Sequence, residues 1–305
     1  MNILDLFSLQ GTLFLMMLVG AWLKKRGIID EHGKRCLTDL CVNLVIPCNI
    51  FKSCLIEFNL TIFRSCALLL LSAVLMQLLC LALNQVIYNR YAPQQKKVLQ
   101  YCTIVPMSGF LGNPIAEGIY DQIGVLYTSI FLIPMRIVMW SVGTTYFVAD
   151  SKTDPKAVLK NVLTHPCLVA IYLGVLCMVT QIPLPSFLTE TARYIGNCNS
   201  ALTMFIVGTI LADVKLSTII NLHTALFSAI RLLALPALAL GVGTLLGLDP
   251  TSLGISVLMT GMPAGATAAI FAARYQSDAP FATKCVVMTT LVSMVTLPLW
   301  CYLVG

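Results

Sequence analysis

Apolar runs of about 20 residues recur along the whole chain, and they limit its fold more than any other feature. A helix of that length crosses the hydrocarbon core of a bilayer, which is about 30 Å thick. Hydrophobic residues make up 58% of the 305 residues and charged residues only 10%, against about 25% charged in an ordinary soluble domain. We therefore expect an all-α polytopic membrane protein. The composition excludes a nucleic-acid binder, a disordered chain and a secreted disulfide scaffold.

No enzyme signature accompanies these runs. The metalloprotease, α/β-hydrolase and phosphate-binding-loop patterns are absent from the sequence, so we predict neither catalysis nor a cofactor. The twelve cysteines form no Cys-x-x-Cys pair and are interpreted as reduced, small hydrophobic residues. The three histidines are scattered, so no metal site is expected.

Ten membrane spans are predicted, with loops too short to hold a soluble domain. They cover about 3–23, 37–58, 62–87, 98–119, 125–148, 166–182, 195–211, 222–246, 253–273 and 279–304.

Lysine and arginine favour alternate loops. If the N-terminus is outside, the loops on the cytoplasmic side carry 13 of the 19 basic residues, and the opposite side has at most Lys52, Arg64 and Arg193. Because basic loops stay cytoplasmic, both termini are expected outside a bacterial inner (plasma) membrane, with the link 150–165 in the cytoplasm.

The fourth and ninth spans are interrupted by proline and glycine at matching places. A shift of 155 residues aligns Met107 with Met262 and Tyr120 with Tyr275. Five spans separate the copies, and an odd number inverts the second copy. Inverted repeats with broken helices are typical of secondary transporters. The expected domains are a first five-helix repeat, 1–149, and a second, 166–305.

The interrupted spans predict a substrate site near the bilayer midplane. Irregular backbone survives there only where protein or a watery cavity surrounds it, and half-helix N-termini suit a carboxylate. Because the two interruptions lie at matching places, a substrate site explains them better than two kinks that serve only helix packing. The predicted residues are Pro106, Met107, Ser108, Gly109, Gly112, Asn113 and Pro114 in the first break, and Met262, Pro263, Ala264 and Gly265 in the second.

Arg136 lies in the middle of the fifth span, where a charge is costly and usually functional. Two interpretations stay open, and they can coexist: a fixed cation for an anionic substrate, or an ion pair with Glu117 that locks two helices. Three other basic residues are interpreted as snorkelling or interfacial because they lie nearer span ends: Arg64, Arg231 and Lys284.

Pro47 is expected to interrupt the second span. The nearby Asn43 and Asn49 could contact substrate or bond the carbonyls that Pro47 frees, and Asn43 and Pro47 are counted with the predicted site. Glu117 and Asp39 are the candidates for carrying a coupling proton, and no acidic cluster argues for sodium.

Three stretches resemble the auxin efflux carrier family, in its bacterial form: Gly261 to Trp300, Gly109 to Ile115, and Val45 to Pro47. That family includes plant auxin exporters and bacterial relatives assigned to malate, malonate and similar anions. The resemblance covers nearly the whole chain. It implies two inverted five-helix repeats in which spans four and nine cross, with substrate beside the crossing. It also implies a scaffold of spans one, two, six and seven and a transport domain of spans three to five and eight to ten.

Met107 and Arg136 stand where the family usually has asparagine, which favours a small anion over a large aromatic acid. The chain is therefore expected to be a secondary transporter of a small organic anion in a lipid bilayer. Whether transport is coupled to H⁺ or Na⁺, or to neither, stays open. A sensory or binding protein of the same fold and an anion channel are the alternatives. The oligomeric state stays open, and a homodimer is compatible with the sequence.

Overall fold

The computed structural model describes residues 3–56, 59–143, 146–147, 160, 163–212, 219 and 221–304. Most of the link 150–165 therefore lies outside the described residues. Within the described ranges the regular structure is helical, as the apolar runs predict, and no β-strand forms.

Eleven helices lie within these ranges. They are α1 (Ile3–Lys25), α2 (Glu31–Ser53), α3 (Leu60–Val86), α4 (Pro93–Ile104), α5 (Ser108–Val138), α6 (Pro166–Thr180), α7 (Ser186–Ala212), α8 (Leu222–Leu245), α9 (Pro250–Thr260), α10 (Thr267–Arg274) and α11 (Ala279–Val304). Seven are long and apolar enough to cross a membrane: α1, α2, α3, α5, α7, α8 and α11.

Helix α5 consists of two segments joined at a sharp kink. Asp121 has a φ of +53° and a ψ of −143°, a backbone region that is uncommon for a residue other than glycine. The kink falls between 119 and 125, where the sequence separates the fourth and fifth spans. The first segment follows the Pro106 break, and the second carries Arg136.

Three prolines in the apolar helices, Pro47, Pro114 and Pro236, are preceded by π-helical turns, whereas Pro134 and Pro298 follow ordinary α-helix. Such turns cover Cys41–Val45, Ser108–Gly112 and Ile230–Ala234, and each ends two residues before a proline. A proline lacks an N–H, and its ring crowds the carbonyl four residues earlier. A π turn widens the helix and relieves that crowding.

The interruption expected at Pro47 is wrong, since α2 runs through it from Glu31 to Ser53. The π turn just before Pro47 absorbs the ring without ending the helix. Asn43 does not reach outside its helix: its Nδ2 donates to the Asp39 carbonyl at 2.9 Å.

Helices α1 and α7 touch backbone to backbone. A Cβ atom on Gly208 would overlap the Met17 carbonyl oxygen, and one on Gly20 would overlap the Phe205 carbonyl oxygen. Small residues permit such an approach between membrane helices, where close packing replaces the hydrophobic effect as the driving force. This reciprocal pair of glycines therefore fixes how α1 and α7 pack.

Candidate functional site

The two interrupted segments meet backbone to backbone. The Met107 N–H donates to the Pro263 carbonyl at 2.7 Å, and the Gly265 N–H donates to the Val105 carbonyl at 2.9 Å. Pro106 and Ala264 face each other between these bonds as an isolated antiparallel bridge. Polar groups that each break frees are thus satisfied by the other break, as a buried backbone requires. We call 105–107 with 263–265 the crossing.

Side chains satisfy further backbone groups around the crossing. Ser108 Oγ donates to the Met259 carbonyl at 3.0 Å, and Thr289 Oγ1 on α11 accepts from the Ala264 N–H at 3.1 Å. Gln77 Nε2 on α3 donates to the Ile104 carbonyl at 3.2 Å. Helices α3 and α11 therefore hold the crossing in place from two directions.

The glycines of the two breaks differ in how closely they are approached. A Cβ atom on Gly265 would lie 2.8 Å from the Val105 carbonyl oxygen, which is backbone. One on Gly112 would lie 2.8 Å from Met259 Sδ, the movable end of a side chain, and one on Gly109 would meet nothing within 4 Å. Of these three glycines, Gly265 alone lies against backbone.

Arg231 lies against the crossing with 1% of its surface exposed. Its Nε donates to the Met262 carbonyl and its Nη1 to the Thr103 carbonyl, both at 2.9 Å, while its buried Nη2 has no partner. The interpretation of Arg231 as an interfacial residue is therefore wrong. An arginine well inside the apolar run 222–246 was the sequence signal that could have identified it.

A small cavity lies between Arg231 and Pro106. Its volume is about 20 Å³, enough for about one water molecule. Its other lining residues come mainly from α3, α4, α5 and α9, and include Gln77, Thr103, Met135 and Thr260.

Glu117 pairs with Lys52 rather than with Arg136. Lys52 Nζ lies 2.8 Å from Glu117 Oε1, and Asn49 Nδ2 donates to Glu117 Oε2 at 3.2 Å. Lys52 Nζ also donates to Asn197 Oδ1 at 3.2 Å. The ion pair of Arg136 with Glu117 that the sequence left open is absent here. The observed network instead ties α2 and α7 to the first segment of α5.

We expect Lys52→Met to lower the free energy of unfolding by about 1–3 kcal/mol, because Glu117 keeps its charge and loses its cation. Thermal unfolding in detergent measures this loss. Adding Glu117→Gln should restore most of it, and a coupling close to zero in that double-mutant cycle would contradict the pairing. Arg193→Met, which breaks the exposed pair with Glu190 on α7, is the control and should change stability little.

Arg136 is buried, with 7% of its surface exposed. Among the described residues it makes no ion pair or hydrogen bond, and its Nη1 is buried without a partner. His165, just before α6, adds no second positive charge beside it: burial and the charge of Arg136 lower the pKa of His165 to about 4, so the imidazole is neutral at pH 7. Arg136 is thus a buried cation that pairs with no carboxylate in the described part of the chain.

Two fully buried asparagines also lack partners. Asn113 begins the main part of α5 after its π turn, and Asn199 follows Cys198, the single turn residue that interrupts α7. Both side chains are 0% exposed, and all four of their side-chain nitrogen and oxygen atoms are unpartnered. Helices α5 and α7 are in contact. The sequence identified Asn113 but missed Asn199, whose signal was an amide inside an apolar run.

The remaining predicted residues lie apart from this arrangement. Asn43 and Asp39 are exposed on α2 and Pro47 is half-buried; in the described residues no hydrogen bond joins them to the crossing. No group of three metal-ligating side chains occurs in the part of the chain that the structure describes.

Known proteins similar to this chain are transporters. The profile of a family described as membrane transport protein matches residues 11–301. An uncharacterized transporter of Methanothermobacter thermautotrophicus is 25% identical over 299 residues, which cover 95% of each chain. The uncharacterized transporter YfdV of Escherichia coli is 23% identical over 300 residues, again 95% of each chain. One from Methanocaldococcus jannaschii is 22% identical over 94% of each chain.

Proposed function

The chain belongs to the membrane transport protein family, and we propose that it is a secondary transporter that carries a small organic anion across the plasma membrane by alternating access. This family is the auxin efflux carrier family that the sequence resembles, so that identification is confirmed. The chain is a multi-helix membrane protein of a transporter family, not of an enzyme family.

The backbone pairing at the crossing is the observation that supports this mechanism most. If α4 with the first segment of α5 forms one pass, and α9 with α10 another, the chain makes ten passes. The two broken passes are then the fourth and the ninth, at equivalent places in inverted repeats. Broken helices that meet at such a point are the usual substrate site of this class of carrier.

Helix N-termini at the crossing, with unpartnered polar groups elsewhere on α5 and α7, support an anionic substrate. Helices α5 and α10 begin beside it, so their N-terminal N–H groups and positive dipole ends face the same region. Arg136 adds a charge that has no counter-ion among the described residues, and Asn113 and Asn199 add unpartnered amides on α5 and α7. A carboxylate satisfies donors of this kind with its two oxygens.

Movement of the transport helices against the scaffold completes the proposal. In this arrangement α1, α2, α6 and α7 stay fixed, and the Lys52–Glu117 pair crosses the boundary from α2 to α5. Both termini face outside, as the basic loops indicate. Glu117 stays the better candidate for a coupling proton, because it lies at that boundary while Asp39 is exposed on α2.

We expect Arg136→Gln to weaken binding of the anion about tenfold or more, because one charge-assisted contact is lost. Arg136→Lys should weaken it less, since an ammonium keeps the charge without the guanidinium fork. A screen of malate, malonate and monocarboxylates by thermal shift selects the ligand, and counterflow in proteoliposomes measures its exchange. Arg193→Gln, at an exposed position on α7, is the control.

Each outcome of the counterflow experiment has a defined meaning. Saturable exchange by the native protein supports the carrier, and unchanged affinity in Arg136→Gln would remove Arg136 from the site. Conduction without saturation would identify a channel instead. Binding without any flux would identify a non-transporting receptor of the same fold.

A further inference from the structure

Arg231 binds the ends of two half-helices at once. Thr103 lies in the last turn of α4, and Met262 follows the end of α9 by two residues. The guanidinium donates to a carbonyl from each. Carbonyls in the last turn of a helix have no partner within that helix, so Arg231 joins one freed carbonyl from each broken segment.

The surroundings of Arg231 form a site for positive charge. Each helix C-terminus carries the equivalent of about half a negative elementary charge, and two such ends converge on one guanidinium. Among the described residues no carboxylate forms an ion pair with Arg231, although the side chain is fully buried. A buried charge needs compensation, and here the two helix ends and their carbonyls supply it.

In transporters with broken helices, carbonyls of unwound backbone and half-helix C-terminal ends coordinate the coupling cation. We infer that Arg231 is a built-in cation that takes the place of a coupling metal ion at the crossing, so that the crossing keeps its structure without bound Na⁺ or K⁺. The transport consequence, exchange that needs no metal cation at this point, rests on the proposed function. The electrostatic role of Arg231 does not.

The cavity beside Arg231 agrees with this role. Its volume of about 20 Å³ allows about one water molecule to hydrate the third donor, Nη2. An anion is less favoured there, because the two helix C-termini repel it. Removing the side chain would join the cavity to the space of the guanidinium, between the Thr103 and Met262 carbonyls.

Thermal unfolding of the purified full chain in detergent tests the inference. The native protein should melt at the same temperature in NaCl, KCl and N-methylglucamine chloride of equal ionic strength. Arg231→Ala should melt lower in N-methylglucamine chloride by about 5 °C or more. Millimolar guanidinium, Na⁺ or K⁺ should restore part of that loss. Arg136→Ala, a buried arginine that binds no carbonyl, is the matched control and should show no such restoration.

Two results would overturn the inference. One is a native protein that Na⁺ or K⁺ stabilises over N-methylglucamine. The other is an Arg231→Ala variant that folds and responds to none of the three cations. If Arg231→Ala does not fold, Arg231→Lys, which keeps the charge, should fold and stay indifferent to Na⁺; a Na⁺-dependent Arg231→Lys would contradict the role. These melts need no substrate, so a lack of anion exchange would refute the proposed function alone.

Discussion

Gly208→Val is expected to prevent most of the protein from reaching its folded state. The added Cβ would overlap the Met17 carbonyl oxygen and lie 2.9 Å from the Ala21 backbone nitrogen. Both obstacles are backbone within α1, so no side-chain rotation relieves them. Helices α1 and α7 must then separate along their length, at a cost of more than about 3 kcal/mol. The yield of monodisperse protein in size-exclusion chromatography measures the loss.

Gly241→Val provides the control for this prediction. Gly241 also lies in an apolar helix, α8, but a Cβ there would meet nothing within 4 Å. The control should therefore be recovered in nearly native amounts. A normal yield and melting temperature for Gly208→Val would show that α1 and α7 do not pack as closely as described.

The sequence predicts well those features of the fold that depend on local composition. Apolar runs give helices because the backbone must satisfy its own polar groups in a bilayer, and the breaks at Pro106 and Pro263 fall where proline and glycine cluster. Pro47 shows the limit of this reasoning. A proline can be absorbed by a π turn, and sequence alone does not distinguish that from a break.

The partners of buried charges are set by packing, and that is why the sequence missed them. Arg231 binds carbonyls of residues 31 and 128 positions away, and backbone carbonyls leave no mark in a sequence. The sequence leaves open an ion pair of Glu117 with Arg136, whereas the cation that Glu117 binds is Lys52, 65 positions away on α2. The sequence could predict that Arg231 and Glu117 are charged residues inside apolar runs, but it could not predict which groups bind them.

Gly265→Val is expected to abolish carboxylate exchange and to lower the melting temperature. The new Cβ would lie 2.8 Å from the Val105 carbonyl oxygen and 3.4 Å from that of Pro106. Because the Gly265 N–H donates to that same Val105 carbonyl, relief of the clash requires breaking this bond. Two buried polar groups then lack partners, which costs about 1–3 kcal/mol each. The positions of Arg231 and of the half-helix ends shift as well.

A graded series of glycine replacements separates this effect from a general intolerance of the breaks. Gly109→Val adds a side chain in open space and should keep most of the exchange, whereas Gly112→Val presses on the movable end of Met259 and should fall between the two. Exchange of the carboxylate that the screen selects, and the melting temperature, are measured for all three. Equal losses at the three positions would mean that the breaks tolerate no added bulk anywhere. Normal exchange in Gly265→Val would mean that the paired segments are not where transport occurs. A loss of exchange that is largest at Gly265, smaller at Gly112 and smallest at Gly109 is expected only if the contact between the two backbones determines activity. A general need for glycine in the breaks would not produce that order.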